Sequence, residues 1–177
     1  MNAGYSHSYD LVSKFYEGRS AARSGVPYMN HIDEGIVIMT EIGASVDAIG
    51  AYCLHPLVQS HVDYMDRLKP EDEYLDGVDP RQLMLAMDYR SRANAFLSYK
   101  IDRITDAEVA TLNAYLWKTR DVRDMLIADK VQNYKDFLKY HLLTHERSEK
   151  LDKYFKTWLN DILDVYNYQS LVKLIEK

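Results

Sequence analysis

The chain has 177 residues and a formal net charge of −5, from 22 lysines and arginines against 27 aspartates and glutamates. The length suits about one domain, and the acidic balance argues against a protein that binds a nucleic acid polymer, because such proteins usually carry a basic face. The single cysteine, Cys53, excludes an intrachain disulfide and a cysteine-based metal cluster.

Turn-forming residues are scarce. The chain has seven glycines and four prolines, whereas these residues make up about 12 % of an average protein. Few turns imply long elements, so we expect an all-α, single-domain helical bundle over 1–177. No stretch reaches the about 18 consecutive apolar residues of a membrane-spanning helix, and the polar N-terminus lacks the pattern of a signal peptide. We therefore expect a cytoplasmic protein with no membrane partner.

The N-terminal half contains two predicted helices separated by a glycine. Apolar residues recur at helical spacing over 32–39, and Gly43 follows them, as glycine commonly does past a helix end. Ser45 is expected to cap the next helix, and Pro56 to end or kink it. The apolar face of that second helix comprises Ala48, Ile49, Tyr52 and Cys53.

The rest of the chain is predicted to hold one polar loop and four further helices. The loop is 66–80, which combines two prolines and a glycine with many acidic residues. An amphipathic segment near the C-terminus either packs on the core or offers a groove to a protein partner or a second copy of the chain. Its apolar residues are Leu151, Tyr154, Phe155, Trp158, Leu159 and Ile162. The four predicted helices cover about 80–100, 105–118, 121–140 and 147–175.

Three polar side chains lie in otherwise apolar helical surroundings. His31 follows the turn 24–27, whose backbone amides, with Arg23, form a candidate anion site. His55 lies on an apolar face and needs a partner, which is a backbone carbonyl, another side chain or a metal ion. Asp129 follows apolar residues, and a buried carboxylate is costly unless it is paired or binds a metal.

Asp129 also has local candidate partners. Lys130 or an arginine would form a structural ion pair with it, and Asn133, four residues further on, shares its helix face. The order histidine, histidine, aspartate on three separate helices suits a divalent ion such as Mn, Fe, Zn or Mg. An ion pair and a metal site are therefore the two alternatives for this carboxylate.

Two segments of the chain resemble motifs of a known family. Residues 23–31 read Arg-Ser-Gly-Val-Pro-Tyr-Met-Asn-His, and 127–133 read Ile-Ala-Asp-Lys-Val-Gln-Asn. They are similar to the Arg/Lys-Ser-Gly-x-Pro-Tyr-x-x-His and Leu-Ala-Asp-Lys/Arg-Leu-x-Asn motifs of the HD-domain phosphohydrolases, specifically the hydrolase domain of the RelA/SpoT-type alarmone enzymes. The resemblance spans about 19–140 and leaves 141–177 as a C-terminal helical extension.

The resemblance implies a helical bundle of the HD-domain type with a divalent ion, typically manganese, between its helices. The reaction it implies is hydrolysis of the 3′-pyrophosphate of guanosine tetra- or pentaphosphate, (p)ppGpp. The metal ligands carried over by position are His31, His55 and Asp129. The substrate-binding residues carried over are Arg23 on the guanine nucleotide, Asn133 on the ribose side, and Ser24, Tyr28 and Lys130 in the same motifs.

The middle motif departs from the family pattern at the residues that carry the chemistry. The family reads His-Asp-x-x-Glu-Asp, whereas this chain has Pro56 in place of the ligand aspartate, and Gln59 and Ser60 in place of the acidic pair. Gln59 is left as a catalytic candidate beside Asp129, but a glutamine cannot take a proton from water at neutral pH. General-base assistance is worth about 10²–10⁴ in rate, so we expect weakened catalysis.

Other charged residues are candidate substitutes at this site. Each is either a replacement ligand or a solvated surface charge, and the arginines either bind phosphate or form ion pairs with the acidic 66–80 loop. The acidic and imidazole candidates are Glu34, His61, Asp63 and Asp88, and the basic ones are Arg90, Arg92 and Lys135.

Three functions follow from these residues. The first is a diverged, metal-dependent nucleotide phosphohydrolase. The second is a catalytically inactive pseudo-hydrolase that binds a phosphorylated, guanosine-type nucleotide. The third is an interaction protein whose 151–175 segment contacts a protein partner or a second copy of the chain.

Overall fold

The computed structural model describes residues 4–22, 24–59, 77–98, 119–144, 147–163 and 165–176. Within these ranges the chain is all-helical and forms no strand, so the predicted fold class is confirmed. A single isolated β-bridge joins Ser20 to Pro27. The helices are α1 (Ser6–Tyr16), α2 (Met29–Glu41), α3 (Val46–Gln59), α4 (Pro80–Ser98), α5 (Arg120–Asp136), α6 (Ser148–Ile162) and α7 (Tyr168–Ile175), and a π-helix (Phe137–His141) continues α5.

Helix α5 is the central element of the bundle. It packs against α2, α3, α4, α6 and α7, and it carries buried residues on every side. Because α5 is enclosed, even its polar residues near the middle, Asp129 and Gln132, are buried. A charged group in this position has to find its partners inside the protein.

Helix α1 was not predicted from the sequence. Only Ser8 and Val12 of this helix are buried, so its apolar pattern is weak. It packs mainly on α3. A buried hydrogen bond holds it in place, from Ser8 Oγ to Gln82 Oε1 at 2.6 Å, and Gln82 Nε2 donates to the carbonyl of Gly4, just before the helix, at 2.7 Å. These contacts come from tertiary packing, which the local sequence does not reveal.

The turn between α2 and α3 agrees with the prediction. Gly43 has a φ of +70°, a conformation that favours glycine. Ser45 Oγ accepts a hydrogen bond from the Ala48 amide at 3.1 Å, as an N-cap does. Helix α3 continues past Pro56 to Gln59, the last residue described in that range.

The prediction of one helix over 147–175 is wrong. The segment forms two helices, α6 and α7, because Asn167 caps the second: its Oδ1 accepts a hydrogen bond from the Ser170 amide at 3.1 Å. The apolar face of α6 packs into the core, which supports the core interpretation of the amphipathic segment and leaves that face unavailable to a partner. Its buried residues are Tyr154, Trp158, Leu159 and Ile162.

The other predicted elements divide into those described and those outside the described residues. The helix at 80–100 is confirmed as α4, and the one at 121–140 as α5 with the π-helix. Residues 66–76 of the predicted loop and the predicted helix at 105–118 lie outside the described ranges. Among the described helices, none combines the length and the apolar character that crossing a bilayer requires.

Candidate metal centre

Three helices bring the side chains of His31, His55 and Asp129 together at one point of the bundle. His31 lies in the first turn of α2, His55 near the end of α3 and Asp129 in the middle of α5. The two histidine Nε2 atoms are 3.2 Å apart, and Asp129 Oδ1 lies 3.6 Å from that of His31 and 4.0 Å from that of His55. The expected convergence of the three is confirmed, and their role as ligands stays a prediction.

The hydrogen bonds of the two Nδ1 atoms determine the tautomer of each histidine, and so whether its Nε2 presents a lone pair to the centre. His31 Nδ1 lies 2.6 Å from Gln132 Oε1, and His55 Nδ1 lies 2.5 Å from the carbonyl oxygen of Tyr52. Since both partners are oxygens that accept, each Nδ1 carries the proton in the neutral ring, and each Nε2 is left as a lone pair. This arrangement is the one found behind most metal-binding histidines.

The orientation of the Gln132 amide follows from its own partners. Its Nε2 donates to Glu34 Oε2 at 3.1 Å and to Asp136 Oδ2 at 2.7 Å. Carboxylates only accept hydrogen bonds, so the amide nitrogen faces them and the amide oxygen faces His31. Lys135 Nζ holds both carboxylates, at 2.6 Å from Glu34 Oε2 and 3.1 Å from Asp136 Oδ1. Glu34 is thus neither a ligand nor a solvated charge, because it supports His31 through Gln132.

Asp129 is a carboxylate with donors on both oxygens. Lys130 Nζ donates to Oδ2 and Asn133 Nδ2 donates to Oδ1, each at 2.8 Å. Burial raises the pKa of Asp129, but Lys130 and the two imidazoles lower it by more, so that it lies at about 2. The predicted pairing with Lys130 and the shared face with Asn133 are both confirmed, and the group is ionised at neutral pH.

His55 is neutral at this site. Burial, together with the neighbouring His31 ring, lowers the pKa of His55 to about 3. In the Nδ1-protonated tautomers, two nitrogen lone pairs and one carboxylate oxygen face each other, and the donors beside them are the Tyr52 hydroxyl at His31 Nε2 and the Asn133 amide at Asp129 Oδ1. Such a group of acceptors repels itself, and a cation at its centre relieves that repulsion.

The spacing of the three atoms fits one bound cation. The point equidistant from atoms 3.2, 3.6 and 4.0 Å apart lies about 2.1 Å from each, which is the bond length of zinc to a histidine nitrogen or a carboxylate oxygen. Two imidazoles and one carboxylate also suit manganese and iron. No family model, curated protein or solved structure matches this chain. Its function is therefore inferred from the residues of the site.

A cavity of about 660 Å³ opens onto the three side chains. Four of the predicted substrate-binding residues line it: Ser24, Tyr28, Lys130 and Asn133. Its walls also carry aromatic rings, from Tyr16, Phe137, Tyr154 and Phe155. The remaining predicted site residues, Arg23 and the side chain of Gln59, lie outside the described residues, as do His61 and Asp63.

Lys130 is a cavity residue whose charge is already engaged. Its ammonium is paired with Asp129 and lies 5.7 Å from the Tyr154 ring centre and 5.5 Å from that of Trp158. Burial lowers the pKa of Lys130, but Asp129 raises it by more, so the net shift is upward. Its main effect is to keep Asp129 ionised, which leaves it poorly placed to bind a phosphate directly.

Neither Asp88 nor Arg92 reaches the centre. Arg92 forms a two-pronged ion pair with Asp88, Nε to Oδ1 and Nη2 to Oδ2, each at 2.8 Å, and its Nη1 donates to Thr119 Oγ1 at 2.7 Å. Arg90 and Arg92 are not among the described residues that line the cavity. The interpretation of Asp88 as a replacement ligand is therefore wrong, because its carboxylate is held by its own helix.

Three residues of this site were not predicted from the sequence. Gln132 is the acceptor for His31, and its signal was its position three residues after Asp129 on an enclosed helix. The Tyr52 hydroxyl lies 3.3 Å from His31 Nε2 and 3.2 Å from the His31 carbonyl oxygen. Tyr89 is fully buried, its ring meets that of His55 edge-on at 5.1 Å, and its hydroxyl lies close to the Asp129 carboxylate without a hydrogen bond of ordinary geometry among the described residues. No local pattern marked either tyrosine.

Proposed function

We propose that this protein is a divalent-cation-dependent nucleotide phosphohydrolase, with His31, His55 and Asp129 as its metal ligands. The observation that carries the proposal is that three atoms able to bind a metal converge, with each histidine Nδ1 donating to an oxygen behind it so that Nε2 faces the centre. A divalent cation, expected to be manganese by the family resemblance, supplies Lewis-acid polarisation of a phosphoryl group and of a water molecule. Three protein ligands are the number typical of catalytic sites, which keep a position open for substrate.

The cavity supports a nucleotide as the substrate. Its volume of about 660 Å³ falls in the range of about 300–1,000 Å³ that small-molecule sites occupy. The rings of Tyr16 and Tyr28 lie 5.1 Å apart on one wall, and Tyr154 and Phe155 are on the lining as well. Aromatic walls next to a cation suit a ligand that combines a planar base with phosphate. A guanosine-type alarmone is the member of this class that the family resemblance favours.

The proposed hydrolysis is slow, because the described cavity offers no free carboxylate as a general base. Asp129 holds Lys130 and Asn133, and Asp136 holds Gln132 and Lys135. We expect the rate of hydrolysis to be lower by a factor of about 10²–10⁴, which is what general-base assistance supplies. A pseudo-hydrolase that binds the nucleotide without cleaving it is the second candidate, and the proline next to His55 favours it.

The test begins with the metal-free protein. We expect calorimetric titration with Mn²⁺ or Zn²⁺ to show one site per chain, and a combined His31→Ala and His55→Ala variant to lose it. His141 also lines the cavity but lies outside the three-residue group, so His141→Ala is the matched control and keeps the site. Loss of binding in the control, or no binding by the wild type, would contradict the metal proposal.

A second measurement separates the enzyme from the binder. The Mn²⁺-loaded protein is incubated with a panel of guanosine and adenosine phosphates, and phosphate and pyrophosphate release are measured. Release above that of the double histidine variant supports the phosphohydrolase. Nucleotide binding without release supports the pseudo-hydrolase. Either of these two results would be incompatible with a protein that only binds protein partners. We place the proposed activity in the cytoplasm, in keeping with the single, buried Cys53.

A further inference from the structure

Pro56 lies within helix α3, directly after a proposed metal ligand. In a regular α-helix the amide of residue 56 would donate to the carbonyl of residue 52, four positions earlier. Proline has no amide hydrogen, so this bond is not formed. The carbonyl of Tyr52 is therefore left without its usual helical donor.

His55 takes the place of that missing donor. Its Nδ1 lies 2.5 Å from the Tyr52 carbonyl oxygen, and both residues are buried. A buried carbonyl has to be satisfied inside the protein, and His55 is the residue in reach. This hydrogen bond links His55 to a carbonyl three residues earlier in the same helix. It fixes the ring with its Nε2 turned toward His31 and Asp129.

We propose that Pro56 is a positioning residue of the cation site: it withholds the amide hydrogen that would claim the Tyr52 carbonyl and so reserves that oxygen for His55 Nδ1. The bond keeps His55 in the tautomer whose Nε2 is a lone pair. The HD-domain motif has an aspartate at this position. The proline therefore removes a ligand of that motif, but it also helps to position His55. This inference rests on the proposed function, because it assigns His55 to a cation.

Substitution of Pro56 by alanine separates this role from a structural one. Alanine restores the amide hydrogen, which then competes with His55 for the Tyr52 carbonyl. It also removes a proline from a helix interior, which by itself stabilises the helix. We expect Pro56→Ala to unfold at a higher temperature without metal and yet to bind Mn²⁺ or Zn²⁺ about tenfold more weakly, as loss of a partner behind a metal ligand does. If Pro56 had only a structural role, the unfolding temperature would not rise while the cation affinity falls.

The control is Pro80→Ala. Pro80 is exposed and is the first residue of α4, where a proline interrupts no interior hydrogen bond. We expect this variant to bind the cation as the wild type does. Equal binding by Pro56→Ala and the wild type, within about twofold, would overturn the inference while the proposed function stands. A wild type that binds no cation would overturn both.

A second measurement does not depend on the variant being folded. Nitrogen-15 spectra of the histidine rings in the metal-free wild type report which ring nitrogen carries the hydrogen. We expect His55, assigned with a His55→Gln variant, to be protonated at Nδ1 at neutral pH. Protonation at Nε2 would overturn the inference.

Discussion

The Nε2 atoms of His31 and His55 lie 3.2 Å apart, and neither of them carries a hydrogen in the tautomers that their Nδ1 partners impose. Two facing lone pairs beside an ionised Asp129 repel one another, and a cation between them relieves that repulsion. The partners behind the rings, Gln132 and the Tyr52 carbonyl, maintain this arrangement.

Removal of the acceptor behind His31 should weaken cation binding. Gln132→Leu takes away the oxygen that receives the His31 Nδ1 hydrogen, and we expect about a 10–100-fold loss of Mn²⁺ or Zn²⁺ affinity by calorimetry. Gln82→Leu is the control, because Gln82 is also buried and hydrogen-bonded but its partners are Ser8 and Gly4. Both variants should lose about 1–3 kcal/mol of unfolding free energy, and only the first should lose the cation. Equal affinity in the two variants would contradict the role of Gln132.

Removal of the Tyr89 hydroxyl should leave the fold as stable or make it more stable. This hydroxyl is buried with no hydrogen bond of ordinary geometry within the described ranges, and burial, followed by the charge of Asp129 and a weak hydrogen bond to that carboxylate, raises the pKa of Tyr89 well above its usual value. Tyr89→Phe removes a desolvated group and is expected to raise the unfolding free energy by up to about 1 kcal/mol in urea titrations. Tyr134→Phe, which loses a 2.6 Å bond to Asp152, should lower it by about 1 kcal/mol. A larger loss in Tyr89→Phe than in Tyr134→Phe would show that Tyr89 has a partner.

The buried His55 should make the metal-free protein less stable as the pH falls. The pKa of His55 is lowered from 6.5 to about 3 in the folded chain, so below pH 6.5 the unfolded chain binds a proton that the folded chain does not. The unfolding free energy should therefore fall, by at most about 1.4 kcal/mol per pH unit, from about pH 6 to pH 4. Asp129 adds little above about pH 5: because its pKa is lowered to about 2, its stabilisation is complete well above the unfolded value of about 3.9 and is lost progressively as the pH falls from about 5 through about 2.

The matched variants for this pH dependence are His55→Gln and His141→Gln. The first should flatten the slope of unfolding free energy against pH, measured in urea titrations at half-unit steps. The second changes a histidine of the cavity wall outside the three-residue group and should keep the slope. An unchanged slope in His55→Gln would show that His55 is not the group responsible.

Introducing the aspartate of the HD-domain motif should strengthen the proposed metal site. Pro56→Asp adds a carboxylate directly after His55, and the comparison is made with Pro56→Ala so that the amide hydrogen is present in both. An additional anionic ligand should tighten Mn²⁺ binding by at least about tenfold over Pro56→Ala. Identical affinities would show that residue 56 does not face the ion, which would weaken the proposed resemblance to the HD-domain family.

Several features of the fold were predictable because they depend on short-range patterns. The recurrence of apolar residues over 32–39, the glycine at 43 and the cap at Ser45 involve neighbours within one or two helical turns. The break between α6 and α7 was missed because Asn167 acts through a local cap within a segment whose apolar spacing alone indicates a single helix. Helix α1 was missed because its buried polar contacts lie with Gln82, 74 residues from Ser8.

The sequence by itself determined which residue types were available for a metal: two histidines and an aspartate, each set into an apolar helical face, in an order that resembles one family. Only the tertiary structure decided that they meet and which atoms face inward. His31 and Gln132 are 101 residues apart, and a ring's tautomer depends on the group that touches it, which no periodicity along one helix specifies. The proposed role of Pro56 could not be predicted from the sequence either. It depends on the orientation of the His55 ring, which reaches the Tyr52 carbonyl that the proline leaves without a backbone donor.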